Sequence, residues 1–183
     1  MKLFGWLRGS EKRRDGVQGW RAAWADAISG PQGSDAELRQ QFELLAHEQP
    51  DVEVELEMLD ALERLRALQP PAAGGALPLV ETRHRVIGAE PCHFSAPASL
   101  PSDQAHASGR LLLTPSRAVF VGGGRTSATA WHAVHEIVRV ERDVLFGRVD
   151  RSPAGHFRFN TYADAVLCAY LALRLKKPRG ARL

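Results

Sequence analysis

The side chains best suited to bind a ligand in this 183-residue chain are the arginines of its second half. A planar guanidinium donates paired hydrogen bonds to a phosphate or carboxylate group. Arg117, Arg125 and Arg148 lie at the ends of predicted strands, where side chains from separate strands meet. The sequence therefore indicates a candidate anion- or headgroup-binding site at these three residues. A solvated arginine-rich surface is the alternative interpretation.

Two histidines have spacing that suits a metal ligand pair. His132 and His135 occur in W-H-A-V-H-E, and Cys92-His93 offers two further ligand types. A zinc protease needs H-E-x-x-H with the glutamate inside the pair, whereas Glu136 follows it. We therefore expect no metal and no cofactor.

Other catalytic motifs are also missing. Gly122-Gly123-Gly124 lacks the Gly-Lys-Ser/Thr of a phosphate-binding loop, and it joins two predicted strands. We interpret it as a hairpin turn that requires positive φ angles. No G-x-S-x-G nucleophile motif is present. The sequence favours a protein without catalytic residues. An uncharacterised enzyme is the alternative, which a deep pocket at His132, His135 and Glu136 would support.

The N-terminal segment, residues 1–16, combines aromatic and basic residues. Aromatic rings settle at lipid headgroups and cations attract anionic lipid, so Phe4, Trp6, Arg13 and Arg14 are candidate membrane contacts. A frayed or core-docked terminus is the alternative. Two cysteines, no signal-peptide pattern and no long apolar stretch predict a cytoplasmic protein, with peripheral attachment to a membrane as an option.

Residues 17–68 are predicted to form about three helices. Apolar residues from Val17 to Ile28 recur on one face, Ser34 and Glu37 have capping-box spacing, and Asp51 can cap the third helix. That third helix has a wide apolar face, which must be buried within the chain, in a homodimer or against a partner. Its candidate interface residues are Val54, Met58, Leu59, Leu62 and Leu65.

Composition divides the chain further. Residues 69–77 are rich in proline and glycine and are predicted to be a linker. Residues 17–77 carry four basic and eleven acidic residues, whereas residues 78–183 carry fifteen basic and eight acidic ones. The second part is therefore predicted to be a basic domain.

Residues 78–183 show seven or eight short apolar runs separated by turns, which predict a small barrel or sandwich. A closing helix follows, with Thr161 and Asp164 spaced to cap its start. The predicted strands are Leu79 to Ile87, Cys92 to Ala96, the hairpin within Gly109 to Val121, Thr126 to Trp131, Glu136 to Glu141, Val144 to Val149 and His156 to Phe159.

The run G-R-L-L-L-T from Gly109 to Thr114, the later Trp131 and the strand E-I-V-R-V resemble the pattern of GRAM domains. The order of elements from Leu79 to Lys177 resembles the pleckstrin-homology (PH) superfold and its bacterial PH-like members. The resemblance implies an antiparallel β-barrel or half-barrel capped by a C-terminal helix. Together with the helical N-terminal segment predicted from its own pattern, the expected fold class is α+β.

Resemblance to this superfold also implies a binding module that is not an enzyme. Its members hold phosphoinositides or other anionic headgroups at the open end, or peptides beside the closing helix. The first strand here has only Arg83 and Arg85, and the next loop is Gly88-Ala89-Glu90-Pro91. The basic signature of inositide-specific PH domains is therefore missing, and the helical region has no counterpart in the superfold.

We therefore expect a non-catalytic binding or scaffolding module, with a protein-interaction adaptor or homo-oligomer built on the acidic helices as the alternative. Expected partners are a protein or a second copy, and an anionic membrane surface. Nucleic acid is not expected because no aromatic residues are interleaved with the basic ones. A small-molecule substrate is not expected either.

Overall fold

A computed structural model of the chain describes residues 3–30, 35–49, 51–68, 76–82, 84–103, 107–150 and 152–176, with side chains from residue 15 onward. The chain divides into two compact units, residues 1–66 and residues 67–183. Most of the predicted linker lies outside the described residues. No helix in the described ranges combines the length and apolar character that crossing a bilayer requires.

The first unit is helical. Helix α1 spans Leu3–Ser29, α2 spans Asp35–Glu48 and α3 begins at Glu53 and ends at Leu68. Two buried tryptophans of α1 donate their indole N–H groups to backbone carbonyls of the other helices. Trp20 donates to Leu38 at 3.1 Å, and Trp24 donates to Met58. A buried indole N–H needs such a partner, so these bonds fix α1 against both α2 and α3.

Charged side chains join the same helices. Arg66 of α3 donates to both carboxylate oxygens of Asp35, at 2.8 and 3.0 Å, and to the carbonyl oxygen of Ala27 at 2.7 Å. Arg21 pairs with the buried Glu55 at 2.6 Å. Arg66 therefore adds a side-chain donor to a carbonyl near the end of α1 and pairs with a carboxylate at the start of α2.

The second unit is a seven-stranded antiparallel sheet with one closing helix, α4, at Tyr162–Leu175. The sheet order is β4-β3-β2-β1-β7-β6-β5. The expected α+β class with a half-barrel-like sheet is thus confirmed, and the arrangement is compatible with a PH-like fold. The strands are β1 Phe94–Ser99, β2 Ser108–Leu113, β3 Arg117–Gly122, β4 Arg125–Ala130, β5 Glu136–Val140, β6 Asp143–Gly147 and β7 Pro153–Phe159.

The strand predicted at Leu79 to Ile87 is wrong. Residues 76–82 have no regular structure, and Arg85–Ile87 form a short 3-10 turn that ends at Gly88, whose φ is 62°. The apolar residues that suggested a strand are not paired into the sheet, and Leu79 is 74% exposed. A strand needs a neighbour to satisfy its backbone, which apolar character alone does not supply.

The predicted hairpin is confirmed, because Leu113 of β2 lies opposite Ala118 of β3. At its other end Gly109 pairs with Gly122, and a Cβ added to Gly109 would lie 2.3 Å from the carbonyl oxygen of Val121. The predicted glycine turn is confirmed as well. Gly123 and Gly124 have φ angles of 59° and 72° and join β3 to β4 as a two-residue turn.

The core lies between the sheet and α4. Alternate strand residues point inward and meet the buried face of the helix, which begins where the Thr161 hydroxyl accepts from the backbone N–H of Asp164 at 3.0 Å. This bond confirms the predicted helix cap. The main core side chains are Leu111, Leu113, Phe120, Phe146, Phe157, Cys168 and Leu171.

Candidate anion-binding cavity

The open part of the half-barrel lies beside the first half of β7. Strand β7 pairs with β1 only through Phe159 and Arg158, so its earlier residues diverge from β1. On that side the hydroxyl of Thr129, on the end strand β4, donates to the carbonyl oxygen of Ala154 at 3.1 Å. The sheet thus curls until β4 approaches β7 without forming a strand pair.

A cavity of about 630 Å³ occupies this opening. Its walls are the turn at Leu100–Asp103, the β3–β4 hairpin and the start of β7. Apolar surface comes from Ala118, Phe120 and Phe157, and charged groups come from two arginines and one aspartate. Its volume falls within the range of about 300–1,000 Å³ typical of small-ligand sites.

Two of the three predicted anion-binding arginines line this cavity. Arg125 begins β4, and Arg148 follows the last residue of β6. The two are 23 positions apart in the sequence, yet the curl of the sheet brings them to one opening. Arg125 is also ion-paired with the carboxylate of Asp103, which lines the same cavity.

His156 of β7 is a further polar residue of the cavity wall. Its Nδ1 lies 2.9 Å from the hydroxyl oxygen of Ser102, and the direction of that hydrogen bond depends on the tautomer. Its Nε2 is buried, lies 3.6 Å from Oδ1 of Asp143 and has no hydrogen-bond partner among the described residues. Hydrogen bonds donated by Arg158 hold the pKa of the Asp143 carboxyl below its ordinary value.

The third predicted arginine, Arg117, lies elsewhere. Its Nη2 pairs with Glu90 at 2.8 Å, and Glu90 also accepts from the hydroxyls of Thr114, at 2.7 Å, and Ser116. These hydroxyl bonds, with that of Ser116 contributing most, lower the pKa of Glu90. Arg117 therefore belongs to a network that holds the loop before β1 against the β2–β3 turn.

Sequence reasoning missed Ser102, Asp103 and His156. The first two lie between the predicted strand at Cys92 to Ala96 and the predicted hairpin, in a stretch without a ligand-binding motif. His156 had a weak signal, because it alternates with the inward-pointing Phe157 and so had to face away from the core. Its proximity to Ser102, 54 positions earlier, is a tertiary contact that no local pattern encodes.

The remaining polar candidates are separate from this cavity. His132 and His135 line a second cavity, of about 800 Å³, beside the end of α4. Cys92 is buried and donates to the carbonyl oxygen of Phe94, while Nδ1 of His93 lies 2.8 Å from the carbonyl oxygen of Pro78. Within the described ranges, no three histidine, cysteine or acidic side chains are grouped to hold a metal ion.

The candidate interface of α3 is largely enclosed. Met58, Leu59, Leu62 and Leu65 are buried and Val54 is half-buried. Contact of these residues with a partner stays a prediction.

The four candidate membrane residues fall on the first turns of α1. The side chains of Phe4, Trp6, Arg13 and Arg14 lie outside the described part of the chain.

Comparisons with known proteins add little to this geometry. No family model matches the chain. No curated protein matches its sequence. Among solved structures, the chain is similar to the C-terminal domain of an unknown protein from Leishmania infantum, with 14% identity, coverage of 50% of this chain and 89% of that one, and a TM-score of 0.42. A similarity this low supports no argument about fold or function.

Proposed function

We propose that residues 67–183 form a non-catalytic binding module that receives an anionic group in the cavity between β4 and β7. The observation that carries the proposal is the convergence of Arg125 and Arg148 on one opening of ligand size. Two guanidinium groups on a shared cavity can hold a phosphate or carboxylate from two sides. The apolar wall behind them would contact the rest of the ligand.

The charge of the chain supports this choice. Residues 78–183 carry fifteen basic and eight acidic residues, so an anionic ligand or surface is attracted toward this unit. Arg148 is exposed and lies at the rim. An anion presented by a larger body, such as a lipid headgroup in a membrane, could therefore reach it.

The proposal agrees with the resemblance to PH and GRAM domains, which we extend here to function. A half-barrel closed by a C-terminal helix is the framework on which that superfold presents ligand sites at its open end. The proposed site does not use the first hairpin of inositide-specific PH domains. It uses the opening between the end strand β4 and the start of β7.

The test compares one charge inside the cavity with one outside it. Arg148→Gln should weaken co-sedimentation with vesicles of phosphatidylcholine and phosphatidylglycerol by about three- to tenfold. Arg174→Gln removes the same charge from an exposed position of α4 and should have little effect. Equal losses of vesicle binding in the two variants would overturn the proposal. So would binding of the unsubstituted chain to pure phosphatidylcholine vesicles that equals its binding to the anionic ones.

A second arm separates a lipid headgroup from a free anion. Inorganic phosphate is titrated against the full chain, and amide NMR shifts around Ser127 and Ala154 are followed. Shifts without vesicle binding assign the site to a soluble anion. Vesicle binding that depends on Arg148 assigns it to a headgroup.

A further inference from the structure

We propose that the carboxylate of Asp103 is an internal competitor for this anion site. The Asp103 carboxylate accepts from Nη2 of Arg125, so an incoming anion competes with it for that nitrogen and meets its negative charge. The inference rests on the proposed function and concerns how that site is regulated.

The carboxylate is held in place by the turn that carries it. The backbone N–H of Asp103 donates to the carbonyl oxygen of Leu100 at 3.1 Å. The backbone N–H of Leu100 in turn donates to the carbonyl oxygen of Ala107 at 3.0 Å. Between them, Ser102 is joined to His156 of β7 at 2.9 Å. The turn is thereby tied to β7 on one side, and through Asp103 and Arg125 to β4 on the other.

Exposure shows which partner a ligand would meet first. The Arg125 side chain is 53% exposed, whereas that of Asp103 is 19% exposed. The guanidinium is thus open to solvent while its carboxylate partner lies against the cavity wall. An anion from solution can approach Arg125 directly and compete with Asp103 for the same donors.

The charges in the cavity predict how anion affinity changes when Asp103 is neutralised. Among the described residues, the arginine and acidic side chains lining the cavity are Arg125, Arg148 and Asp103. Asp103 therefore cancels one of the two positive charges that attract a ligand. Its replacement by a neutral side chain leaves both arginines unopposed, which raises anion affinity.

The experiment measures binding of the full chain to phosphatidylglycerol vesicles and to inorganic phosphate. Asp103→Asn should raise affinity about three- to fivefold, which is the scale of one partly exposed ion pair. Glu81→Gln, which removes the same charge from an exposed position outside the cavity, should leave affinity nearly unchanged. Ser102→Ala keeps every charge but releases the turn from His156, and should produce a smaller increase.

A double substitution identifies the mechanism. If Asp103 acts by occupying Arg125, then Asp103→Asn should add little in a chain that already carries Arg125→Gln. The same gain in both backgrounds would mean that Asp103 acts only through its general charge, and would overturn the inference.

Failure of the inference can be told apart from failure of the proposed function. An unchanged affinity in Asp103→Asn, with a loss in Arg148→Gln, overturns the internal competitor and leaves the anion site in place. No effect from either variant overturns both. If Asp103→Asn fails to fold by circular dichroism, Asp103→Ser, which also suits a turn, is read by the same criteria.

Discussion

The hydroxyl of Thr114 donates a 2.7 Å hydrogen bond to the carboxylate of Glu90, which joins the β2–β3 turn to the loop before β1. Thr114 is completely buried, and its carbonyl oxygen accepts the indole N–H of Trp131 at 2.8 Å. Thr114 and Trp131 both belong to the pattern that resembles GRAM domains. In this chain they build the fold and lie outside the lining of the proposed cavity.

Replacing Glu90 should therefore destabilise the second unit. Glu90→Gln keeps the shape but removes the charge that Ser116, Thr114 and Arg117 all contact. We expect a loss of about 1–2 kcal/mol in unfolding free energy, the scale of hydrogen bonds to a charged group. Denaturant unfolding followed by amide NMR signals of β2 and β3 measures it. A loss no larger than that of Glu81→Gln would contradict the assigned role.

The same carboxylate predicts a pH dependence. Because the pKa of Glu90 is lower in the folded chain than in the unfolded one, its stabilisation is complete above the ordinary glutamate value of 4.5. It is lost as the pH falls below 4.5 and through the folded pKa. The pKa of Asp143 is also lowered, chiefly by hydrogen bonds from Arg158, so its contribution to stability is lost at low pH in the same way. Unfolding free energies of wild type and Glu90→Gln should converge as the pH is lowered from neutrality; a constant difference would contradict this prediction.

Gly109 should not tolerate a side chain. A Cβ there meets backbone atoms of Val121 and Gly122, which cannot move without disturbing the β2–β3 pair. Gly109→Ala should cost about 1–3 kcal/mol, as overpacking typically does. In contrast, Gly19→Ala lies in α1 with nothing within 4 Å of the added carbon, and should stabilise that helix by up to about 1 kcal/mol. Thermal melts of the two variants should shift in opposite directions.

Among the arginines of the helical unit whose side chains are described, Arg66 should be the most sensitive to substitution. Arg66→Leu leaves the carboxylate of Asp35 without its arginine partner and removes one of the donors to the carbonyl of Ala27, and we expect a loss of about 2–3 kcal/mol. Arg64→Leu breaks an exposed pair with Asp60 on the same helix and should cost less than about 0.5 kcal/mol. Hydrogen exchange of α1 and α3 amides compares the two. Similar protection in both variants would contradict the assignment.

The hydroxyl of Thr161 caps the start of the closing helix and should contribute to the stability of the second unit. Thr161→Ala removes the acceptor for the backbone N–H of Asp164, and should destabilise the second unit by about 1 kcal/mol. Thr161→Ser keeps the hydroxyl and should restore most of the loss. If serine and alanine have equal effects on the unfolding midpoint, the hydroxyl is not the stabilising group.

Local chemistry made several parts of the fold predictable. The β2–β3 hairpin, the Gly123-Gly124 turn and the Thr161 cap each depend on residues a few positions apart, so the local sequence carries the whole signal. The strand assigned to Leu79 to Ile87 failed because strand formation depends on a distant neighbour. Apolar residues show which segments could form a strand, but they do not show which segments find a neighbouring strand to pair with.

The sequence by itself determined the α+β order, the basic second half and the residue types that could bind an anion. Only the tertiary structure decided which arginines share a cavity. Arg117 is held by Glu90, whereas Arg125 and Arg148 meet where the curled sheet brings β4 toward β7. The physical reason is that ligand sites depend on distances between residues far apart in the chain. Those distances follow from strand order and sheet curvature, which no short stretch of residues specifies.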